Sequence, residues 1–342
     1  MGLQTTGAIS LNDMHIEVGG TSGTTCSLND PDIRALINVG GNTNQSIQQY
    51  YGKSSETSLP TGGSQINGQV QLKEITASDY ISSGGTLRIP SNMWVWSDNT
   101  SVAALTIDIS CTVINDGKII GKGGNGAYRL PTSGGVYSAT AGGPAINVTA
   151  SGVTITNSSG AYIAGGGGGG GHRQDGGNAT DSNAGGGGGA GGGNGGNARN
   201  NGFIGGTGGA LNAKGGNEYR VYGNTNTFPN SGGGAGGAGG DFGYGGGGGG
   251  RILPGTGGTL GGVYASQSQL AGGFEMCQGG SANGVGHGPN PTGYAYSDMA
   301  AGGGGWGAAG GNGSASNGAA GGAAIQGTSR TLSNSGTIYG ST

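Results

Sequence analysis

The sequence predicts a protein that is mostly β and irregular, with little α-helix. Three observations support this fold class. Of the 342 residues, 92 are glycine, with long glycine runs after residue 164. Alternating β-branched and polar residues indicate strands before those runs, and a unit of strand, turn, strand and glycine occurs three times. We assign residues 1–56 to a small N-terminal module, 57–64 to a linker, 65–164 to a β platform, 165–327 to a glycine-rich bundle and 328–342 to a C-terminal strand that returns to the platform.

The N-terminal module has an ordinary composition and one predicted helix. Asn29 and Asp30 precede Pro31, and this is a typical helix start because a polar side chain caps free amides and proline fits the first turn. The helix is expected to continue through Ile37 and to end at Gly40. A core of this size is too small to be stable alone, so we expect the module to dock onto another surface.

The β platform contains a repeated unit. Single strands are predicted at Thr86–Pro90, Met93–Trp96 and Ala104–Ile109. The repeat occurs at Val113–Gly121, Ile155–Gly165 and Leu332–Gly340. Stacked copies of one unit are how β-solenoid coils bury their faces. Because two copies precede the glycine runs and one follows them, the bundle is expected to be held at both ends by the platform.

The glycine runs allow two opposite interpretations. Glycine loses the most entropy on ordering and has no side chain to bury, so disorder is the default. The alternative is an extended helix with about three residues per turn, packed so that each amide pairs with a neighbouring helix. Non-glycine residues three apart, such as Ala235 with Ala238 and Thr207 with Ala210, favour the second form. We therefore predict a bundle of polyglycine II helices with loops at both ends.

Simple up-and-down threading divides the loops between the two ends of the bundle. One end receives segments 172–184, 210–231, 251–254 and 289–301, and the other receives 197–204, 241–244, 263–278 and 312–317. Trp306 lies inside a glycine run and is expected to cap the bundle. His172 and His287 are expected on loop surfaces.

Aromatic residues are concentrated in these loops. Tyrosine beside Asn, Ser and Gly is typical of binding loops, because a large rigid ring supplies contact area while small polar groups adapt. The first set of loops is mostly longer and contains Tyr219, Tyr222, Tyr294 and Tyr296. This set is therefore the predicted binding tip. The candidate binding residues are His172, Arg173, Glu218, Tyr219, Arg220, Tyr222, Phe228, Tyr294 and Tyr296.

Composition argues against several other functions. Charged residues make up 8% of the chain and the net charge is -3, which does not fit nucleic-acid or anionic-membrane binding. The three cysteines and three histidines lack metal-ligand or disulfide spacing, and acids are too sparse for a paired-carboxylate site. We expect no enzymatic activity, metal or cofactor, and we find neither a signal peptide nor a membrane-spanning run.

The alternation of glycine runs with Tyr- and Asn-rich spacers resembles a known family. Runs at Gly165–Gly171, Gly185–Gly196, Gly232–Gly240 and Gly302–Gly311 are similar to those of the receptor-recognition adhesins at the long tail fibre tips of T-even-type bacteriophages. The stretch 89–124 resembles β segments of phage tail proteins, and residues 1–56 resemble their short N-terminal modules. The resemblance implies a polyglycine II sandwich whose loops bind a bacterial outer-membrane protein or glycan, on a virion tail or tail-fibre tip. Another tail or fibre protein would hold residues 1–56.

Three alternatives remain open at this point. The chain could be a structural tail component or tail-fibre assembly factor without receptor contact. Glycine-rich three-fold helices also occur in ice-binding proteins, although those have a more regular period. A β-helical depolymerase would need more β coils and more acids than the sequence contains.

Overall fold

The structure is a computed structural model. It describes residues 3–37, 39, 44–53, 55–129, 135–173, 185–197, 203–217, 219–220, 236–237, 239, 246–258, 279–287 and 300–342. Within those ranges, no helix has the length and apolar character needed to cross a membrane.

The N-terminal module is a small helical unit with its own core. It contains helices α1 (Leu11–Glu17) and α2 (Pro31–Ala35) and a 3-10 turn (Ile47–Tyr50). The predicted helix after Asp30 is confirmed as α2, although it ends earlier than expected. Helix α1 was not predicted; its signal is a capping box, in which Ser10 and Asp13 satisfy each other's backbone amides. Met14 and Ile33 are fully buried in the module core.

Apart from a 3-10 turn at Ala77–Asp79, the regular secondary structure in the rest of the described chain consists of short strands. They are β1 (Glu56–Ser58), β2 (Gln65–Ile66), β3 (Gln69–Lys73), β4 (Ile75–Thr76), β5 (Thr86–Ile89), β6 (Met93–Trp96), β7 (Leu105–Ile107), β8 (Thr112–Asn115), β9 (Lys118–Ile120), β10 (Tyr128–Arg129), β11 (Val136–Tyr137), β12 (Ile146–Val148), β13 (Val153–Asn157), β14 (Tyr162–Ala164), β15 (Phe203–Ile204), β16 (Tyr219–Arg220), β17 (Ile325–Gly327), β18 (Arg330–Asn334) and β19 (Thr337–Tyr339). The predicted strands at 86–90, 93–96 and 104–109 are confirmed as β5, β6 and β7.

The platform is a three-sided β solenoid. Its first sheet has the order β1-β5-β8-β13-β18, its second β19-β14-β9-β6-β3-β2 and its third β17-β12-β7-β4. Neighbouring strands in these sheets are parallel except for the β2–β3 pair. Along the chain the strands visit the second, third and first sheets in turn, so each coil contributes one strand to each side. The core fills the space between the three sheets.

The three copies of the repeated unit stack in register. Asn115, Asn157 and Asn334 occupy equivalent positions in β8, β13 and β18. The Nδ2 group of Asn115 donates to Oδ1 of Asn157, and Nδ2 of Asn157 donates to Oδ1 of Asn334, both at 2.8 Å. Together with bonds to backbone groups, such as that from Nδ2 of Asn115 to the carbonyl of Tyr162, this ladder satisfies the buried side-chain amides.

Residues 57 and 58, expected in a linker, belong to the solenoid instead. Strand β1 pairs in parallel with β5, and Arg88 forms ion pairs with both Glu56 and Asp116. The sequence gives no strong strand signal at β1, because its three residues have no apolar alternation and only the partner strand defines them.

The glycine bundle grows from one corner of the solenoid. Residues 121–145 form a first insertion between β9 and β12, and residues 165–324 form a second between β14 and β17. Both insertions leave the second sheet and return to the third. The bundle therefore includes 121–127 and 140–143, which the sequence assignment placed in the platform.

Backbone hydrogen bonds in the bundle follow a period of three. The amides of residues 166 to 171 donate in order to the carbonyl oxygens of Gly143, Ala190, Ala308, Thr140, Gly187 and Gly311, at 2.7–3.0 Å. Each of three neighbouring segments is thus contacted at every third residue, as expected for an extended helix with about three residues per turn. Lateral pairing answers the need of every buried amide for a partner.

Candidate functional site

The bundle has two different ends. Gly170 donates to Gly187 and Gly167 donates to Ala190, so these two segments run antiparallel and the chain reverses close to Ala190. We call the end with this reversal, against the solenoid, the basal end, and the opposite end the distal end. The described turns at the basal end are 190–192, 210–213, 251–254, 281–284 and 306–308.

The threading predicted from the sequence is wrong. Residue 172 was placed opposite to 312–317, but the backbone amide of His172 donates to Oγ of Ser316 at 2.9 Å, so both lie at the distal end. The count failed because Gly191 and Gly192 have positive φ angles and reverse the chain inside what is a single run in the sequence. Only glycine adopts two such angles in succession without strain.

The basal end is closed by aromatic side chains. Trp306 is fully buried with Trp94 and Trp96 from the solenoid, and its Nε1 donates to the carbonyl of Ile252 at 3.0 Å. The expectation that Trp306 caps the bundle is confirmed. Since Leu211 also packs in this cluster, the basal turns are fixed to the outer face of the second sheet.

One buried cation, Arg251, and one half-buried cation, Lys122, strengthen the same contact. The Arg251 guanidinium lies 4.6 Å from the Trp96 ring centroid, and its Nε donates to the carbonyl of Gly191 at 3.0 Å. Nζ of Lys122 donates to the next carbonyl, Gly192, at 2.6 Å. Burial lowers the pKa of Arg251 to about 10 and that of Lys122 to about 8. The basal end is therefore a structural contact with its polar groups already satisfied.

His172 and Arg173 do not lie on the distal surface. They are only 1% and 2% exposed, and Nδ1 of His172 makes a 2.7 Å hydrogen bond with Oγ of Ser316. Burial and the nearby positive charge of Arg129 lower the pKa of His172. The expectation of a surface position is wrong for His172, because the 312–317 turn packs over it; His287, by contrast, is exposed as expected.

Other candidates are only partly described. Tyr219 and Arg220 form β16, which pairs antiparallel with β15 at the distal end, and Ile204 of β15 is 46% exposed. Glu218, Tyr222, Phe228, Tyr294 and Tyr296 lie outside the described residues. Their part in binding stays a prediction.

A second distal hairpin was not predicted. Strands β10 and β11 belong to the first insertion, where Tyr128 and Tyr137 stack with ring centroids 4.6 Å apart and planes 4° from parallel. Val136 is 53% exposed and Tyr137 is 47% exposed. The sequence signal was weak because the flanking glycine runs, Gly123–Gly124 and Gly142–Gly143, are only two residues long.

Metal chemistry finds no support in the described part of the chain. No group of three or more His, Cys, Asp or Glu side chains is arranged there to hold a metal ion. Cys26 and Cys111 are free thiols, and burial raises the pKa of Cys111 to about 11, which makes that thiol a poor nucleophile.

Comparison with known proteins identifies related molecules. A family model described as phage tail fibre adhesin Gp38 matches residues 64–245, more than half of the chain. Among solved structures, the crystal structure of the gp37-gp38 adhesin tip complex of the bacteriophage S16 long tail fibre is similar, with 19% identity and a TM-score of 0.47. That alignment covers 98% of this chain and 99% of that chain. No curated protein matches.

Proposed function

Because the chain belongs to the Gp38 family of phage tail fibre adhesins, we propose that it contacts its host receptor at the distal end of the glycine bundle. The family match makes the protein a tail fibre adhesin, which places it on the virion and gives it the task of binding the host. We also propose that the helices of the bundle are polyglycine II helices, which the three-residue hydrogen-bond period supports.

The observation that carries the proposal is the contrast between the two ends. The basal end is covered by the solenoid and held by Trp306, Arg251 and Lys122. At the distal end the chain leaves and re-enters the described bundle at residues 173 and 185, 197 and 203, 258 and 279, and 287 and 300. These four intervening segments therefore begin and end at the distal end. A longer one, residues 221–235, begins there after β16 and re-enters the bundle at Gly236, beside Gly280.

The proposed receptor is a bacterial outer-membrane protein or surface glycan. The chain carries few charges, so recognition would depend on shape, aromatic contact and small polar groups. We propose that binding occurs without bond cleavage, which the adhesin family and the absence of any metal-binding cluster in the described ranges favour.

Virion attachment is proposed for the N-terminal module. Residues 1–56 contain a separate small core, and the module presents Ile16 and Ile47 at 46% and 43% exposure. A core of this size is typically stabilised by packing against another surface. Another tail or fibre protein is the proposed partner.

The test measures binding of the purified protein to intact host cells. Replacing residues 221–231 with a Gly-Ser segment of equal length should abolish saturable binding, whereas Val102→Ser, which removes a 38% exposed valine from the platform, should leave it unchanged. Deleting residues 1–55, which spares Glu56 of strand β1 and its ion pair with Arg88, should leave cell binding intact and prevent incorporation into virions. Absence of saturable binding by the folded wild-type protein would contradict the proposal and favour a structural tail component.

A further inference from the structure

We propose that the paired strands β10 and β11 carry a binding subsite for a neutral sugar ring of a host-surface glycan, with the outer face of Tyr137 as the stacking surface and Tyr128 as the ring that supports it from behind. This inference rests on the proposed function, since it places one defined contact within the distal end. It adds a ligand class and two residues from the first insertion, outside the loops that the sequence marked for binding.

The hairpin presents a single aromatic face. Tyr128 and Tyr137 are directly opposite each other in the antiparallel pair, and Arg129 is opposite Val136. Because side chains alternate between the faces of a strand, both rings lie on one face of the ribbon and the arginine lies on the other. Because the two rings stack with their planes nearly parallel, each covers the inner face of the other, and Tyr137, the more exposed ring, presents its outer face to solvent.

This surface suits the apolar face of a neutral sugar. The π face of an aromatic ring is electronegative, and it attracts the weakly positive C–H groups on one side of a pyranose ring. Arg129, whose charge reaches His172, lies on the opposite face of the ribbon, so a phosphate or acidic sugar on the tyrosine face would lack that cation.

The hairpin is anchored on both sides before any ligand binds. On one side the amide of Ala127 donates to Gly170, and the carbonyl of Ala127 accepts from Gly186. On the other side the Thr140 amide donates to the carbonyl of Asn125, whose own amide donates to Oγ1 of Thr140 at 2.7 Å. A rigid aromatic pair loses little entropy on binding, so even a small contact area contributes to affinity.

The experiment compares full-length variants on untreated host cells and on cells oxidised with periodate, which cleaves the vicinal diols of sugars. Tyr137→Ser should weaken binding about tenfold or more, the size expected for loss of one well-packed aromatic contact. Tyr137→Phe keeps the ring and should bind within about twofold of wild type, while Tyr128→Ser should behave like Tyr137→Ser. Val102→Ser is the matched control for a surface substitution, and all variants must unfold at the wild-type temperature.

Periodate treatment should reduce wild-type binding to the level of Tyr137→Ser and should not weaken that variant further. Wild-type affinity in Tyr137→Ser would overturn the subsite. So would a weakened Tyr137→Ser variant whose binding is insensitive to periodate but lost after protease treatment of the cells, because the hairpin would then contact a protein. Failure of the distal-end proposal itself is distinguishable, because replacement of 221–231 would then leave binding intact.

Discussion

Substitution of Gly168 by alanine tests the packing of the glycine bundle directly. A Cβ atom at this position would lie 2.7 Å from the carbonyl oxygen of Ala320 and closer still to that of Ala319. Ordinary contact begins at 3.4 Å, so relieving the contact with Ala320 alone requires about 0.7 Å of movement, and relieving the closer contact with Ala319 requires more. That movement would also disturb the 2.9 Å hydrogen bond from the Gly310 amide to the Ala319 carbonyl.

The magnitude follows from these two effects. Overpacking a close-packed interior costs about 1–3 kcal/mol, and weakening a buried backbone hydrogen bond adds about 1 kcal/mol. We therefore expect Gly168→Ala to lower the free energy of unfolding by about 2–4 kcal/mol. In proteins of comparable size this corresponds to a fall in Tm of roughly 5–10 °C.

Gly62→Ala is the matched control, because no atom lies within 4 Å of a Cβ built there. This substitution should leave Tm unchanged or raise it slightly, since alanine restricts the unfolded chain more than glycine does. Both variants are measured by thermal unfolding, with tryptophan fluorescence reporting on the buried Trp306. Equal Tm values for the two alanine variants would refute the claim that bundle glycines are required by backbone contact.

Three further predictions concern the basal end and the solenoid. Trp306→Ala empties a fully buried site and should cost about 3–5 kcal/mol in denaturant unfolding; a loss below 1 kcal/mol would mean that the basal cluster does not hold the bundle. The pKa of Lys122 is lowered by burial from 10.5 to about 8, so the folded state binds fewer protons than the unfolded state between those values. The free energy of unfolding should therefore rise with pH across this window, and the gain should be lost as pH falls through 8. Lys122→Met should remove this pH dependence. An equal slope in the wild type and in Lys122→Met would contradict the assignment. Asn157→Ala breaks the middle of the amide ladder and should cost about 1–3 kcal/mol, whereas Asn334→Ala, at the exposed end, should cost less; equal losses in urea titrations would count against the ladder.

The elements with a local signal could be predicted from the sequence. Strands β5, β6 and β7 have clear alternation, and the repeated unit indicates stacked coils. Trp306 was assigned to a cap because a lone large ring inside a glycine run has few other places to pack. In each case the deciding information lies within a few residues of the element.

The incorrect predictions concern features that depend on contacts between segments distant in the sequence. His172 is buried by the turn that contains Ser316, which is 144 residues away in the sequence. No pattern in the residues around His172 indicates that contact. The reversal at Gly191 is invisible because glycine allows left-handed and right-handed backbone equally, so a run of glycines does not reveal where it turns. The first insertion was overlooked for a related reason, because only its packing beside the second insertion makes its short glycine pairs part of the bundle.

The three-residue hydrogen-bond period limits which insertions and deletions the glycine runs can tolerate. Inserting or deleting three glycines within a run moves the later residues by one turn along the helix, so each amide still faces the same neighbouring helix. A change of one or two residues instead rotates the rest of the helix by about one or two thirds of a turn. Glycine runs are also interchangeable in sequence, so recombination between related genes inside two runs would exchange the intervening distal segment and leave the scaffold intact. The architecture therefore favours genetic exchange in steps of three residues, and host preference could change through crossovers without any new fold having to arise.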